Sequence, residues 1–290
     1  MAVPAGPVKG RETFCSNNCR MLDLFDVKAL LIVALIFIPL EMILPLRGGQ
    51  KLLRKHWLND VIYFFLNGLV VKIGLAALVV LAVGAIRVLV PHAVTVAVQS
   101  QAVWLQAVEV LLVADTGFYF AHRTFHKIPF LWKFHSVHHS IEEMDWLAAH
   151  RVHPLDQILT KAASYLPVFA LGFSSTAILI FALIYKWQSL VIHSNSRIGL
   201  GPLQWLFASP HFHHWHHANE PAALDKNFAG QLPLLDLIGG TFFLPGHMPA
   251  QYGTHDPVPA LYPDQMAYPF RTMIAQRLPA LAAPSGDVPA

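Results

Sequence analysis

From Val61 to Val90 the chain is an almost unbroken apolar run, carrying Asn67 and Lys72 near its start and closed by Pro91. A run of this length is enough for a helix to cross a bilayer, which takes about 20 apolar residues. Ala29 to Leu46 is a second run of spanning length, interrupted by Pro39 and Glu41, and Ala102 to Ala121 is a third. The stretch from Leu159 to His193 is too long for one span. Gly172-Phe-Ser-Ser175 near its middle reads as the turn between two helices, a hairpin that goes in and comes back. Composition agrees: 55% of the 290 residues are hydrophobic and only 13% are charged, about half the usual 25% charge of soluble domains.

The expected fold is all-α, an integral membrane protein of about four transmembrane helices with a histidine-rich helical cap on the cytoplasmic side. The loop after the first run holds Arg47, Lys51, Arg54 and Lys55, whereas the connector from Pro91 to Gln101 holds no Lys or Arg. The bias of basic residues toward the cytoplasm then puts the 46–60 loop inside and the 91–101 connector outside. The third run returns inside with Arg123, Lys127 and Lys133. The N-terminal tail, with Lys9, Arg11, Arg20 and Lys28, also prefers the inside, so either the first run is interfacial or the charge rule fails locally. No secretory signal is expected, because the first apolar stretch begins only near Ala29. The patch from Leu232 to Leu244, punctuated by Pro233, Gly239 and Gly240, is short enough to read as an interfacial or core element.

The bulk charge excludes one function class. A net charge of +3, with basic residues scattered rather than striped, offers no nucleic-acid footprint. Cys15 and Cys19 lie in the polar tail without metal-binding partners nearby, and read as a local disulfide or two free thiols.

Against this background three histidine clusters stand out: His122-Arg-Thr-Phe-His126, His135-Ser-Val-His138-His139 and His213-His-Trp-His216-His217. Steps of three and four residues put each set on one face of a helix, and the topology puts all three sets on one side of the membrane. Such a crowd of imidazoles would repel if protonated and would need hydrogen-bond partners if neutral; metal ions satisfy both demands. The number of rings exceeds the three or four protein ligands of a zinc site, so two ions are the natural count. Soluble di-iron bundles use Glu and Glu-x-x-His sets, which are missing from these clusters. An all-histidine pair of irons suits O2-dependent oxidation of C–H bonds.

In its ordered motifs the sequence resembles the fatty acid hydroxylase superfamily, which includes sterol desaturases, methylsterol oxidases, lipid hydroxylases and alkylglycerol monooxygenase. The resemblance runs from about Ala107 to Pro245. HRTFH (122–126), HSVHH (135–139) and HFHHWHH (211–217) match its histidine boxes, RVHPLD (151–156) its R-x-H-P-L-E element and HSNSR (193–197) its H-S-N element. NFAGQLPLLDLIGGTFFLP (227–245) is similar to the stretch that follows its last box. The resemblance implies iron ligands at His122, His126, His135, His138, His139, His193, His213, His216 and His217. His153 is implied as a ligand or as support for one, and His150, His211 and His214 as lining or buttress. His56, His92, His247 and His255 fall outside the boxes. Asp156 replaces the usual Glu of its element, a shorter arm. With no haem-binding cytochrome b5 region present, electrons are expected from a separate ferredoxin- or cytochrome b5-like carrier with its reductase.

Asp115 stands apart, because a carboxylate inside an apolar segment is costly without a partner. Asp115, Tyr119, His122 and His126 form one helical stripe. Ligating histidines commonly give their second N–H to a carboxylate or carbonyl, so Asp115 is expected to orient one of them; pairing with Lys72, Arg123 or a hydroxyl is the plainer role. Asp156, Asn195, Asn227 and Asp236 are weaker candidates for the same task, since turns and caps favour these residues too.

The resulting reading divides the chain into a polar tail (1–28), a membrane-embedded catalytic domain (29–250, hydroxylase-like over about 107–245) and a loosely packed Pro/Ala-rich tail (251–290). It describes a di-iron oxygenase that hydroxylates or desaturates a lipid. Two other classes compete. A membrane zinc hydrolase would want a Glu beside the ligands, as in H-E-x-x-H, and Glu142 and Glu143 follow their box too loosely. A metal transporter would carry its ligands along the spans.

Overall fold

The computed structural model describes residues 27–282, with side chains to residue 272. Cys15, Cys19 and nearly all of the polar tail lie outside the described residues. Ten α-helices follow in order: α1 (Val27–Ile43), α2 (Trp57–Arg87), α3 (His92–Gln99), α4 (Val103–Lys127), α5 (Pro129–His139), α6 (Pro154–Leu171), α7 (Ser175–His193), α8 (Pro210–His216), α9 (Leu234–Gly239) and α10 (Tyr262–Ala282). Among the described residues there is no strand, only two isolated bridges, Pro45 with Ser196 and Ala218 with Tyr252.

Three of these helices, α2, α4 and α7, are long and apolar enough to cross a membrane. α1 is equally apolar but has 17 residues. The outer surface explains why water is the wrong solvent: Val80 and Leu81 on α2 are 79% and 80% exposed, on a helix that offers water no polar face there. The protein is therefore a membrane protein. Leu159 to His193 forms the expected hairpin. Gly172 ends α6 with φ of 80°, a left-handed conformation that a Cβ disfavours, and Ser174 caps α7 by accepting from Ala177 N. The patch after Leu232 contains only the short α9, as its length and punctuation imply.

α4, α6 and α2 pack as the central layer. α4 and α6 approach closely at Gly117, where an added Cβ would lie 2.1 Å from the carbonyl oxygen of Ala163. Small residues at such crossings let backbones approach where lipid supplies no hydrophobic drive. α4 ends because Pro129 forces Ile128 into the extended region. The chain turns there, and α5 brings the second histidine cluster back beside the first.

The described side chains between Pro249 and Thr272 are not loose. Tyr252, Gln265 and Tyr268 are buried. Gln265 accepts from Tyr63 Oη at 2.8 Å and from Asn59 Nδ2 at 3.2 Å, and Tyr262 N donates to Asn59 Oδ1. Composition suggested looseness, but Tyr262 and Gln265 of α10 find partners on α2.

A second feature joins Arg151 of the RVHPLD element to residues that belong to no motif. Asp60 on α2, fully buried, accepts from Arg54 at 2.6 Å and from Arg151 at 2.6 and 2.8 Å. Arg54 also pairs with Asp145, which caps the short 3-10 turn Trp146–His150 through Ala148 N. Buried charges demand such mutual pairing, and removing one partner costs about 3–5 kcal/mol.

Candidate metal centre

The histidines sit in the C-terminal halves of four helices, α4, α5, α7 and α8, with His217 just past the end of α8. These C-terminal ends carry partial negative charge, which favours a cation where they converge. Pro129 and Pro210 open α5 and α8 at positions where no N–H is needed. Ser209 accepts from Phe212 N to start α8.

Two groups result. His122, His126, His135, His139 and His216 bring one ring nitrogen each within 4.8 Å of one another, and so do His138, His193, His213 and His217. The nine residues are those the motifs single out, including His193, which comes from outside the three clusters. Eight of them are buried and His126 nearly so.

Their outer nitrogens fix the rings. His122 Nδ1 bonds Phe228 O at 2.7 Å, His135 Nδ1 bonds Asp156 Oδ2 at 2.7 Å, and His138 Nδ1 bonds Arg151 O at 2.9 Å. His193 Nδ1 bonds Ser189 O at 2.7 Å and His216 Nδ1 bonds Lys226 O at 2.8 Å. A carbonyl or carboxylate only accepts, so each of these five rings carries its proton on Nδ1, and the Nε2 of a neutral ring is then a bare lone pair.

Those lone pairs face one another. His122 and His135 Nε2 lie 3.0 Å apart in the first group, and His138 and His193 Nε2 lie 3.2 Å apart in the second. No hydrogen bond can form between two acceptors. A shared cation about 2.1 Å from each nitrogen, at right angles, would put them about 3.0 Å apart. The donor set thus fits one ion in each group. His139 and His216 at 3.1 Å, His193 and His213 at 3.0 Å, and His213 and His217 at 3.1 Å continue the pattern. Burial first, then mutual repulsion, holds His138, His139, His213 and His217 well below the usual imidazole value, and His216 falls to about 3. These five rings favour the neutral form, the one that ligates.

Two expected site residues lie elsewhere. His153 belongs to neither group: its Nδ1 accepts from Leu155 N at the start of α6, and its ring packs on Phe134. Asp115 touches no histidine. Its carboxylate accepts from Gly230 N at 3.1 Å, Gln231 N at 3.0 Å and Leu232 N at 2.7 Å. The stripe separates Asp115 from His122 by seven residues, about 10 Å of rise, too far for a hydrogen bond. The carboxylate beside a ligand ring is instead Asp156, whose shorter arm still reaches His135.

The loop from Asp225 to Leu232 emerges as the shared support. Asp225 and Asn227 adopt positive φ, 58° and 60°, which their side chains tolerate better than most. Asn227 donates to Phe212 O and Phe243 O and accepts from Phe243 N. Asp236 accepts from Phe228 N and Ala229 N. Asp115, Asn227 and Asp236 thereby hold the carbonyls of Lys226 and Phe228 against His216 and His122. Asn195 plays no such part; it binds the backbone of Arg47 on both sides. His214 buttresses through Tyr252 Oη and Ser194 O, and His211 meets His247 O.

A cavity of about 500 Å³ opens onto both groups, with His122, His135, His138, His193 and His213 in its wall. Tyr63, Phe118 and Tyr165 line its apolar side.

Comparison with known proteins places this architecture. Residues 107–241 match the family model described as fatty acid hydroxylase. The ornithine lipid hydroxylase OlsE of Rhizobium tropici is 32% identical over 145 residues, 49% of this chain and 44% of that protein. Alkylglycerol monooxygenase of Homo sapiens is 35% identical over 134 residues, 45% of this chain and 29% of that one. A very-long-chain aldehyde decarbonylase of Oryza sativa subsp. indica is 32% identical over 136 residues, 43% of this chain and 21% of that one. The chain spans less than half the length of these relatives. No solved structure matches it. Through residues 107–241 the chain is similar to the fatty acid hydroxylase family and to relatives named as lipid hydroxylases and monooxygenases.

Proposed function

We propose that this protein is a membrane di-iron oxygenase that hydroxylates or desaturates a lipid, using O2 and electrons from a separate ferredoxin- or cytochrome b5-like carrier. The observation that carries the reading is the pair of facing Nε2 lone pairs in each histidine group, His122 with His135 and His138 with His193. One iron would be held by His122, His126, His135, His139 and His216, the other by His138, His193, His213 and His217. When bound, iron supplies the O2 activation and hydrogen abstraction that an unactivated carbon requires. The chain's own part is geometric. Carbonyls and Asp156 lock the rings, burial excludes water, and the apolar cavity delivers a lipid carbon to the ligand cage. Relatives named for hydroxylation or oxidation of lipids support the substrate class.

In this reading α1 joins α2, α4 and α7 as a fourth span, and α6 re-enters the bilayer so that α7 returns His193 to the same side. The histidine ends of the helices face the cytoplasm with Arg123, Lys127 and Lys133, as the basic-residue bias requires. The polar tail before α1, the catalytic domain over 29–250 and the C-terminal segment remain the working division of the chain.

The test is metal analysis of the purified protein together with lipid profiling of a deletion strain, complemented by wild type or by His138→Ala. Two irons per chain and an O2-dependent lipid product restored only by wild type are expected. Stoichiometric zinc with ester hydrolysis would overturn the proposal in favour of a hydrolase, and unchanged lipid profiles would overturn it outright.

A further inference from the structure

The cavity wall carries three lysines from three helices: Lys72 on α2, Lys161 on α6 and Lys186 on α7. Lys161 is half-buried, and Lys72 and Lys186 are exposed, the latter two on apolar helices long enough to cross a membrane. None of the three forms an ion pair or hydrogen bond among the described residues. The one carboxylate in the described wall, Asp156, is committed to His135. Lys72 and Lys161 are close enough to repel each other. His150 lines the same space, and its buried Nε2 has no hydrogen-bond partner among the described residues.

Unpaired ammonium groups at the depth of a span are costly, and such groups mark the path of a ligand that pairs with them. Three of them converge on one cavity beside a free ring nitrogen. Resting on the reading of this cavity as the place of lipid oxidation, we propose that Lys72, Lys161 and Lys186 form a subsite for the phosphate or carboxylate headgroup of the lipid. Lys161 lies five residues beyond Asp156, about 7.5 Å along α6, and Lys186 seven residues before His193, about 10 Å along α7. The anion is then held within roughly 10 Å of the histidine cage, so the carbon presented for oxidation lies near the headgroup and not far along the tail. Ammonium groups bind phosphate and carboxylate as point charges, so either headgroup satisfies the subsite.

The test is equilibrium binding of radiolabelled dodecyl phosphate to the purified, iron-loaded full chain in maltoside micelles. Dodecanoate, a neutral dodecylglycerol ether and inorganic phosphate serve as competitors. Dodecanoate should compete well, the neutral ether at least about tenfold more weakly, and each Lys→Met change should weaken dodecyl phosphate by about tenfold, the worth of one charge-assisted bond. Lys161→Arg should retain binding, and iron content should be unchanged in all variants, which separates lost recognition from lost folding. Equal affinity for the neutral ether, or a triple Lys→Met variant that keeps its preference for the anion, would overturn the subsite. Competition by inorganic phosphate as strong as by dodecyl phosphate would overturn its assignment to a lipid. Binding needs no turnover: a chain that selects the anion yet oxidises no lipid refutes the proposed function alone, and one that oxidises a lipid without anion preference refutes the subsite alone.

Discussion

Asp156 offers the sharpest test of how the cage is held. Its Oδ2 accepts from His135 Nδ1 at 2.7 Å with both groups buried. A hydrogen bond to a charged acceptor contributes about 1.5–3 kcal/mol and a neutral one about 0.5–1.5 kcal/mol. In Asp156→Asn the amide oxygen still accepts the Nδ1 proton, so the tautomer survives and only the charge is lost. The difference, about 1–1.5 kcal/mol, corresponds to roughly a tenfold loss of iron affinity. Asp156→Ala leaves a buried N–H with no acceptor, a further 1–3 kcal/mol or so, and its loss should approach a hundredfold. Chelator competition with metal analysis measures both values. The loss should fall on one ion of two, the one bound by the His122, His126, His135, His139 and His216 group, while the His138 group keeps its own. Wild-type affinity in both variants, or a greater loss in Asn than in Ala, would refute the account.

Asp115→Asn turns one acceptor of three backbone N–H groups into a donor, so it should destabilise the protein by about 2–4 kcal/mol and weaken iron at His122, read by thermal unfolding and iron content. His153→Ala removes a helix cap and a buried ring packed on Phe134: stability should fall by about 2–4 kcal/mol with iron content unchanged, and a lost ion would restore His153 as a ligand. The metal-stripped protein should lose stability as pH falls below about 6.5, the ordinary imidazole value, because His138, His139, His213 and His217 are held far below it when folded. The unfolded chain takes up protons there that the folded chain refuses, so this contribution is whole above about pH 6.5 and shrinks below it; denaturation of stripped protein between pH 5 and 8 measures it.

Much of the cage was legible from residue types and their spacing. Helical steps of three and four gathered eight rings, and the H-S-N match added His193. The spans were legible because lipid leaves apolar runs few choices of structure. Tertiary partners were not. The acceptors for four of the five proton-fixed rings are Phe228, Arg151, Ser189 and Lys226 carbonyls, and any residue type offers a carbonyl. Asp115 lay on the right stripe but met a loop 115 residues away, which helical periodicity does not encode. Arg54 and Asp145 pair across 91 residues, and neither belongs to a motif. Pro and Ala around α10 concealed Gln265, whose amide joins the buried face of α2.

That last contact bears on how the protein is made. Tyr262 and Asn59 are 203 residues apart, and at about 5–20 residues per second α2 waits roughly 10–40 s on the ribosome for its partner. The third histidine cluster is synthesised only shortly before. Neither histidine group is complete until His213, His216 and His217 have emerged, so an ion that needs a full set can settle only after the third cluster is made. The nascent chain must carry bare imidazoles through that delay.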